Sequence, residues 1–424
     1  MNLLKINFRT SVIAVILASL FSVSVVSQAT ADGITWTSRT PAADNDWQSV
    51  TYGNGLFVAV SDNEVGNISN RVMTSPDGIT WTSRTAAANN YWMSVAYGNG
   101  LFVAVSVTGT GNRVMTSPDG ITWTSRASAA DNSWNSVAYG NGLWVAVSNS
   151  VVGDISDRVM TSPDGITWTS RTAAANSNWK SVAYGNGLFV AVSTSNGTGN
   201  QVMTSPDGIN WTSRTSAANN TWYSVTYGNG LWVAVGSSET GNRVMTSPDG
   251  ITWTSRTSAA NNSWWSVTYG NGLFVAVSID GDNRVMTSPD GITWTSRTAA
   301  ANIGWLSVTY GDGLFVAVSF TGTGNRVMTS GEVGLAARIT AAANAEAARV
   351  AEVARVAAAT AEAARKAKEQ KELTEILALL PKIGELTLSL GETTKALYST
   401  KCVKGKTVKY VNKGSKCPKG YVKK

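Results

Sequence analysis

Eleven acidic residues within residues 32–331 of this 424-residue chain stand outside the repeated motifs, and they are the first candidates for chemistry. They are Asp44, Asp46, Asp62, Glu64, Asp131, Asp154, Asp157, Glu239, Asp280, Asp282 and Asp312. Two carboxylates at a suitable separation hydrolyse glycosides, one as acid and the other as base or nucleophile. Asp312 replaces a turn Asn of the other copies, and the rest fall mostly in surface loops, where the burial that raises a general acid's pKa is not expected. Asp280-Gly281-Asp282-Asn283 and Asp62-Asn63-Glu64 offer oxygens to Ca²⁺, but neither has the spacing of an EF-hand loop. The chain has no His and only two Cys, so no His base, zinc set or thiol nucleophile is available. These residues predict a non-enzyme without cofactor or metal, with a glycoside hydrolase as the alternative.

What positions these residues is a unit repeated seven times between Asp32 and Gly331. It reads DGITWTSRT, a short Ala/Asn loop, W-x-SV-T/A-YGNGL-F/W-VAV, a variable loop, and NRVMTSP. The Asp of each copy follows Asp32 at Asp77, Asp119, Asp164, Asp207, Asp249 and Asp290, a spacing of 41–45 residues. Repeats of about 40–45 residues built of short β-rich runs point to propeller blades. SVTYG and LFVAVS join through Asn54-Gly55, a hairpin signal, and RVMTS and ITWTSRT flank Pro76-Asp77-Gly78, a second tight turn. Four strands per unit in meander order make a blade. The domain opens on a fourth strand without a third and ends on a third without a fourth, so the N-terminal strand is expected to close the ring. The predicted fold is all-β: a seven-bladed propeller over residues 32–331, followed by a long Ala-rich α-helix and a small basic hairpin.

The turn Ser75-Pro76-Asp77-Gly78-Ile79-Thr80-Trp81 and its copies resemble the Asp-box, S-x-D-x-G-x-T-W, of sialidase-like propellers, one residue tighter between Asp and Gly. The resemblance covers residues 32–331. It implies a structural box, in which Asp and Ser bond turn amides and Trp packs across the turn. It also brings the family's hydrolases into view, along with photosystem II assembly propellers that share the fold. The enzymes' arginine cluster and Tyr/Glu nucleophile pair do not carry over. The propeller's thirteen Arg occupy two repeated positions, and Tyr52 recurs in every copy, so both read as architecture.

In a meander, the Asn-Gly and Pro-Asp-Gly turns share one end of the blades. The Ala/Asn loops and the loops before NRV, five to nine residues long, share the other. One position on that second face differs in every copy: Gln48, Met93, Asn135, Lys180, Tyr223, Trp265 and Leu306. Strict alternation puts Gln48 with Val50 and Tyr52, and Trp47 with Ser49 and Thr51. A site that accepts Lys, Trp and Leu alike is expected to be exposed, at the rim of the central channel. These seven are the predicted ligand-binding ring, with neutral drift as the competing explanation. The predicted ligand is a glycan or a surface protein.

Lys5, Arg9, an apolar run Ser11 to Val26 and Ala29-Thr30-Ala31 predict a signal peptide over residues 1–31 and an exported protein, extracellular or at the cell surface. The formal charge is +7, but residues 401–424 alone carry nine Lys and no acid. The propeller is net acidic, which argues against nucleic acid as a partner. Residues 332–380 are rich in helix formers and predict a stalk, one that leaves room for oligomerisation, before a linker at 381–400. Cys402 and Cys417 are expected to pair and close the basic tail. That tail resembles Lys-rich Cys-x-Lys-Gly-Lys…Cys-Pro-x-Gly-Tyr endings of bacterial exported proteins. Its lysines suit an anionic cell-wall polymer or a membrane surface, with a solubilising role as the alternative.

Overall fold

A computed structural model describes residues 33–62, 68–149, 157–194, 200–238, 240–330, 362, 364–376 and 399–424, with a few isolated helical positions between the last two. The predicted signal peptide and most of the predicted stalk and linker lie outside the described residues. The chain falls into two compact units, residues 1–345 and 346–424.

The first unit is a seven-bladed β-propeller of four-stranded antiparallel sheets. Blade 1 runs from its inner strand Trp47–Gly53 through Leu56–Ser61 and Val72–Ser75 to the outer strand Thr82–Arg84. Blade 7 takes Trp305–Gly311, Leu314–Ser319 and Val327–Ser330 from the chain's end and Trp36–Arg39 from its beginning, with Trp36 opposite Ser330. That strand leaves no open edge at the ring's seam.

The core lies between blades. Val58, Val60 and Val72 of blade 1 pack against Trp92, Val95, Phe102, Ala104 and Met115 of blade 2, and equivalent clusters recur around the ring. Each inner strand ends on a glycine because the next blade's tyrosine occupies the place of a side chain: a Cβ on Gly53 would stand 2.1 Å from Cγ of Tyr97. A closed circuit of hydrogen bonds ties the inner strands together. The Ser of each W-x-S-V accepts from the Val N–H of the following blade at 3.1–3.2 Å, from Val95 onto Ser49 round to Val50 onto Ser307.

The turns explain the repeat's fixed letters. Each Asn-Gly hairpin needs two left-handed residues, and Asn54 and its copies hold φ of 47–49°. Asp312 adopts φ 48° in place of Asn. In the second turn one carboxylate oxygen of Asp77 accepts from Ser75 Oγ and from the amides of Ile79 and Thr80, at 2.8–2.9 Å. Asp119, Asp164, Asp207, Asp249 and Asp290 repeat it. Such bonds favour the ionised form. The amides of Thr167 and Ile166 hold Asp164 below the usual carboxylate range, against a smaller opposing effect of burial. Both repeated tryptophans donate their indole N–H to carbonyls, Trp81 to Gly78 and Trp47 to Ala43.

In the second unit residues 364–376 are helical, and residues 381, 390, 394 and 397 of the predicted linker are also helical. Ser399–Lys404 forms the centre of a three-stranded sheet, flanked by Thr407–Asn412 and Val422–Lys423. A disulfide joins Cys402 to Cys417.

Candidate binding rim on the variable face

The seven variable residues lie on β-bulges. The inner strand pairs Trp47 with Ser61 and then Ser49 with Val60, so Gln48 is the extra residue, skipped by the ladder. The same register shift occurs at this position in all seven blades. A bulge restarts the alternation. Trp47 therefore joins Val50 and Tyr52 in the cluster facing blade 7, which corrects the assignment of Trp47 to the face of Ser49 and Thr51. Strict period two could not reveal this, because the bulge has no sequence mark of its own. It also supplies the reason for the variability: the extra residue makes no ladder pair, so the frame does not dictate its side chain.

Ring residues lean over the junction with the following blade. Asn135 donates to the Trp179 carbonyl of blade 4 at 2.8 Å and to Asn149 of its own blade at 3.0 Å. Tyr223 of blade 5 stacks on Trp265 of blade 6, ring centroids 4.1 Å apart and planes 18° from parallel. Gln48 bonds Asp62, whose carboxyl burial pushes up from its ordinary value. Six of the seven are half-buried: Gln48, Met93, Asn135, Lys180, Tyr223 and Trp265. Leu306 is only 8% exposed, against the expectation of an exposed site. An aliphatic side chain at the seam of blades 7 and 1 has packing to gain and no polar group to keep wet.

Lys180 and Trp265 each hold an uncommitted polar group. No hydrogen bond or ion pair reaches the Lys180 ammonium among the described residues, and burial lowers its pKa from the ordinary value. The indole N–H of Trp265 is buried without a partner, unlike those of the framework tryptophans. A buried unpaired donor costs about 1–3 kcal/mol relative to a satisfied one.

Asp44, Asp46, Asp131 and Asp280 on this face are engaged by neighbouring groups. Arg326 bridges Asp46 at 2.7 Å and Asp44 at 3.8 Å, and Arg113 meets Asp131 at 3.5 Å. Asp280 accepts from the amide and hydroxyl of Ser263. Glu64, Asp154 and Glu239 lie outside the described residues. The NRV arginines take two directions, a distinction the sequence analysis missed. After the nine-residue loops Arg71 and Arg158 are 2% exposed and donate to the next blade's Asn90 and Ser177 carbonyls, and Arg243, after a six-residue loop, likewise donates to the Asn261 carbonyl. Gln201 does the same toward Asn220 in blade 4. After short loops Arg113, Arg284 and Arg326 turn back onto carbonyls of their own loop. A second missed group is the Asn of the Ala/Asn loop: Asn90, Asn132, Asn220 and Asn262 each donate to the carbonyl of the residue that opens NRV, immediately before its Arg, at 2.6–2.9 Å. Its recurrence as Asn in five of seven copies was the available signal.

A further ring position also escaped the sequence reading. The residue one place beyond the VAVS or VAVG of the second strand runs Asp62, Val107, Asn149, Thr194, Ser237, Ile279 and Phe320, and at Asp62 and Asn149 it hydrogen-bonds the ring member of its own blade. Phe320 lies where a side chain on Gly304 would otherwise be, its ring edge 2.2 Å from that Cβ position. Blades 5 to 7 thus gather Tyr223, Trp265, Ile279, Leu306 and Phe320 on one arc, with Lys180 next to it on blade 4.

No protein-family model and no curated protein matches the chain. Solved structures do. One is YCF48 bound to a D1 peptide, 14% identical, with a TM-score of 0.52 over 73% of this chain and 99% of that one. Another is YCF48 from Cyanidioschyzon merolae, 13% identical, with a TM-score of 0.51 over 70% of this chain and 98% of that one. The likeness is one of fold, and it agrees with the β-propeller described above.

Proposed function

We propose that the chain is an exported, non-enzymatic binding protein that takes a segment of a partner protein on the variable rim of its propeller. The observation that carries this reading is the stacked Tyr223–Trp265 pair beside Lys180. A flat aromatic platform and a cation without a counter-ion take the same bulge position on three consecutive blades, where the frame requires neither. Aromatic side chains supply contact area at low entropic cost, and a half-buried ammonium favours a carboxylate. The ligand that fits has an acidic residue next to an aromatic or aliphatic one. The D1 peptide held by YCF48, a propeller of the same fold, supports a protein ligand over other classes. The Cys402–Cys417 disulfide and the N-terminal charged, apolar and A-x-A segments support export.

The test is selection from a random peptide library with the chain from Asp32, alongside a Lys180→Ser, Tyr223→Ser, Trp265→Ser variant. Peptides that pair a carboxylate with an aromatic or aliphatic residue should be enriched by the parent protein and lost with the variant. Enrichment of the same peptides by both proteins, or of none by either, would contradict the proposal. A glycan array run in parallel addresses the second reading, which the same stacked pair motivates because sugar rings pack on aromatic faces. Ring-dependent glycan binding without peptide enrichment would replace the protein ligand with a sugar.

A further inference from the structure

The C-terminal sheet has two unlike faces. Register places Val403 opposite both Val408 and Val422, so three valines form one row across all three strands. The next row on that face pairs Lys401 with Tyr410. Thr400 and Cys402 belong to the other face, are buried, and lie on the side of the disulfide to Cys417. There Lys409 also stands 5.4 Å over the ring of Tyr421. The disulfide loop thus supplies the covering for one face of a sheet too small to have a core of its own. On the opposite face Val408 is 42% exposed, Tyr410 49% and Val422 70%.

Apolar side chains so exposed on a small sheet raise the question of what they meet, and the charge around them answers it. Lys401 shares their face, Lys404 and Lys406 stand at one end of the hairpin, and Lys413 and Lys424 at the other. Residues 401–424 contain nine Lys and no acid to neutralise them. A soluble polyanion would use the lysines and have no use for a row of valines. An anionic bilayer uses both, the lysines for its head groups and the apolar row for the head-group/acyl boundary.

We infer that the disulfide-closed sheet is a peripheral membrane anchor that lays its Val408–Val403–Val422 face on an anionic lipid surface. The disulfide fixes which face is free and so keeps the apolar row outward. Electrostatic attraction brings the sheet to the surface, and the valines set its orientation there. This inference is independent of what the propeller binds.

The experiment is co-sedimentation of the chain from Asp32, which carries every described element of both units, with phosphatidylcholine vesicles. Parallel vesicles contain about one-third phosphatidylglycerol. The parent protein should bind only the anionic vesicles, and high salt should weaken binding. Val408→Ser with Val422→Ser, which leaves every lysine in place, should weaken partition about tenfold. Lys406→Glu with Lys419→Glu should weaken it as well. Free-thiol titration checks that both variants keep the disulfide. No binding to anionic vesicles would overturn the proposal. So would binding that the valine substitutions leave unchanged, since lysines alone would then suffice. Inorganic polyphosphate is the competing probe: if it binds tightly where vesicles do not, the tail is a polyanion binder and not a membrane anchor.

Discussion

The two faces of the propeller are made by the same repeat, yet one is copied and the other is not. On the Asn-Gly and Asp-Gly face the chain must pass through left-handed backbone, with φ of 47–49° at Asn54 and its copies and 74–77° at the glycines that follow. Few residues tolerate such angles, so the letters are fixed by geometry. On the opposite face each inner strand begins with a bulge, whose extra residue pairs with nothing. The lesson is that constancy and variability here follow backbone constraint before they follow function. Asn54 is constant although exposed, and it therefore says nothing about drift at Gln48. The case for recognition rests on what the variable side chains do together, above all Tyr223, Trp265 and Lys180.

That contrast can be broken most forcefully from the frame side. Trp134 is fully buried at the junction of blades 2 and 3. Its replacement by Ala should cost about 3–5 kcal/mol, measured by denaturant unfolding. A cost below about 1 kcal/mol would show that the blade junctions are looser than described. Gly140→Ala is smaller in volume but meets a ring directly, since its Cβ would sit 2.0 Å from Cγ of Tyr184. The expected loss is about 1–3 kcal/mol, and a neutral result would mean that the tyrosine ring is free to move aside.

The constant turns also carry a pH signature. The carboxyls of Asp119, Asp164, Asp207, Asp249 and Asp290 titrate below their ordinary value. For Asp119 burial pushes the other way and is outweighed by the amides of Thr122 and Ile121 and by Ser117. For the other four the turn amides dominate. A depressed folded-state pKa gives stability that is complete above the unfolded value of about 3.9 and is lost as pH falls through the folded one. Melting temperature should hold steady near neutrality and fall below about pH 4. Asp249→Asn should cost about 1 kcal/mol at neutral pH and make the acid fall shallower. An acid profile identical to that of the parent protein would show that the turn carboxylates are not responsible.

Much of this architecture was legible in the sequence. Repeat spacing, the Asn-Gly and Asp-Gly turns and the unpaired first and last strands lead to a seven-bladed ring with an N-terminal closing strand, as described. The bulge was not legible, because Trp47 and Ser49 look like ordinary alternating positions until the partner strand is counted against them. Nor was the split between Arg71 and Arg113, since the same letter reaches the next blade in one copy and turns back onto its own loop in another. Leu306 escaped because a one-residue column of differences carries no sign of where the ring is sealed. The stacking of Tyr223 on Trp265 needed the distance between neighbouring blades, which no spacing along the chain contains.

The smallest expected effect on stability decides the central claim. Lys180→Ser on the variable rim and Ile166→Ser on the constant face both change exposed or half-buried side chains, the latter 42% exposed. Each should leave unfolding within about 0.5 kcal/mol of the parent protein. The measurement is the affinity of library-selected peptides for the two variants. The account predicts that Lys180→Ser weakens binding about tenfold or more while Ile166→Ser leaves it intact, the loss of one charge-assisted contact. Equal weakening by both, or weakening by Ile166→Ser alone, would contradict the assignment of recognition to the variable rim.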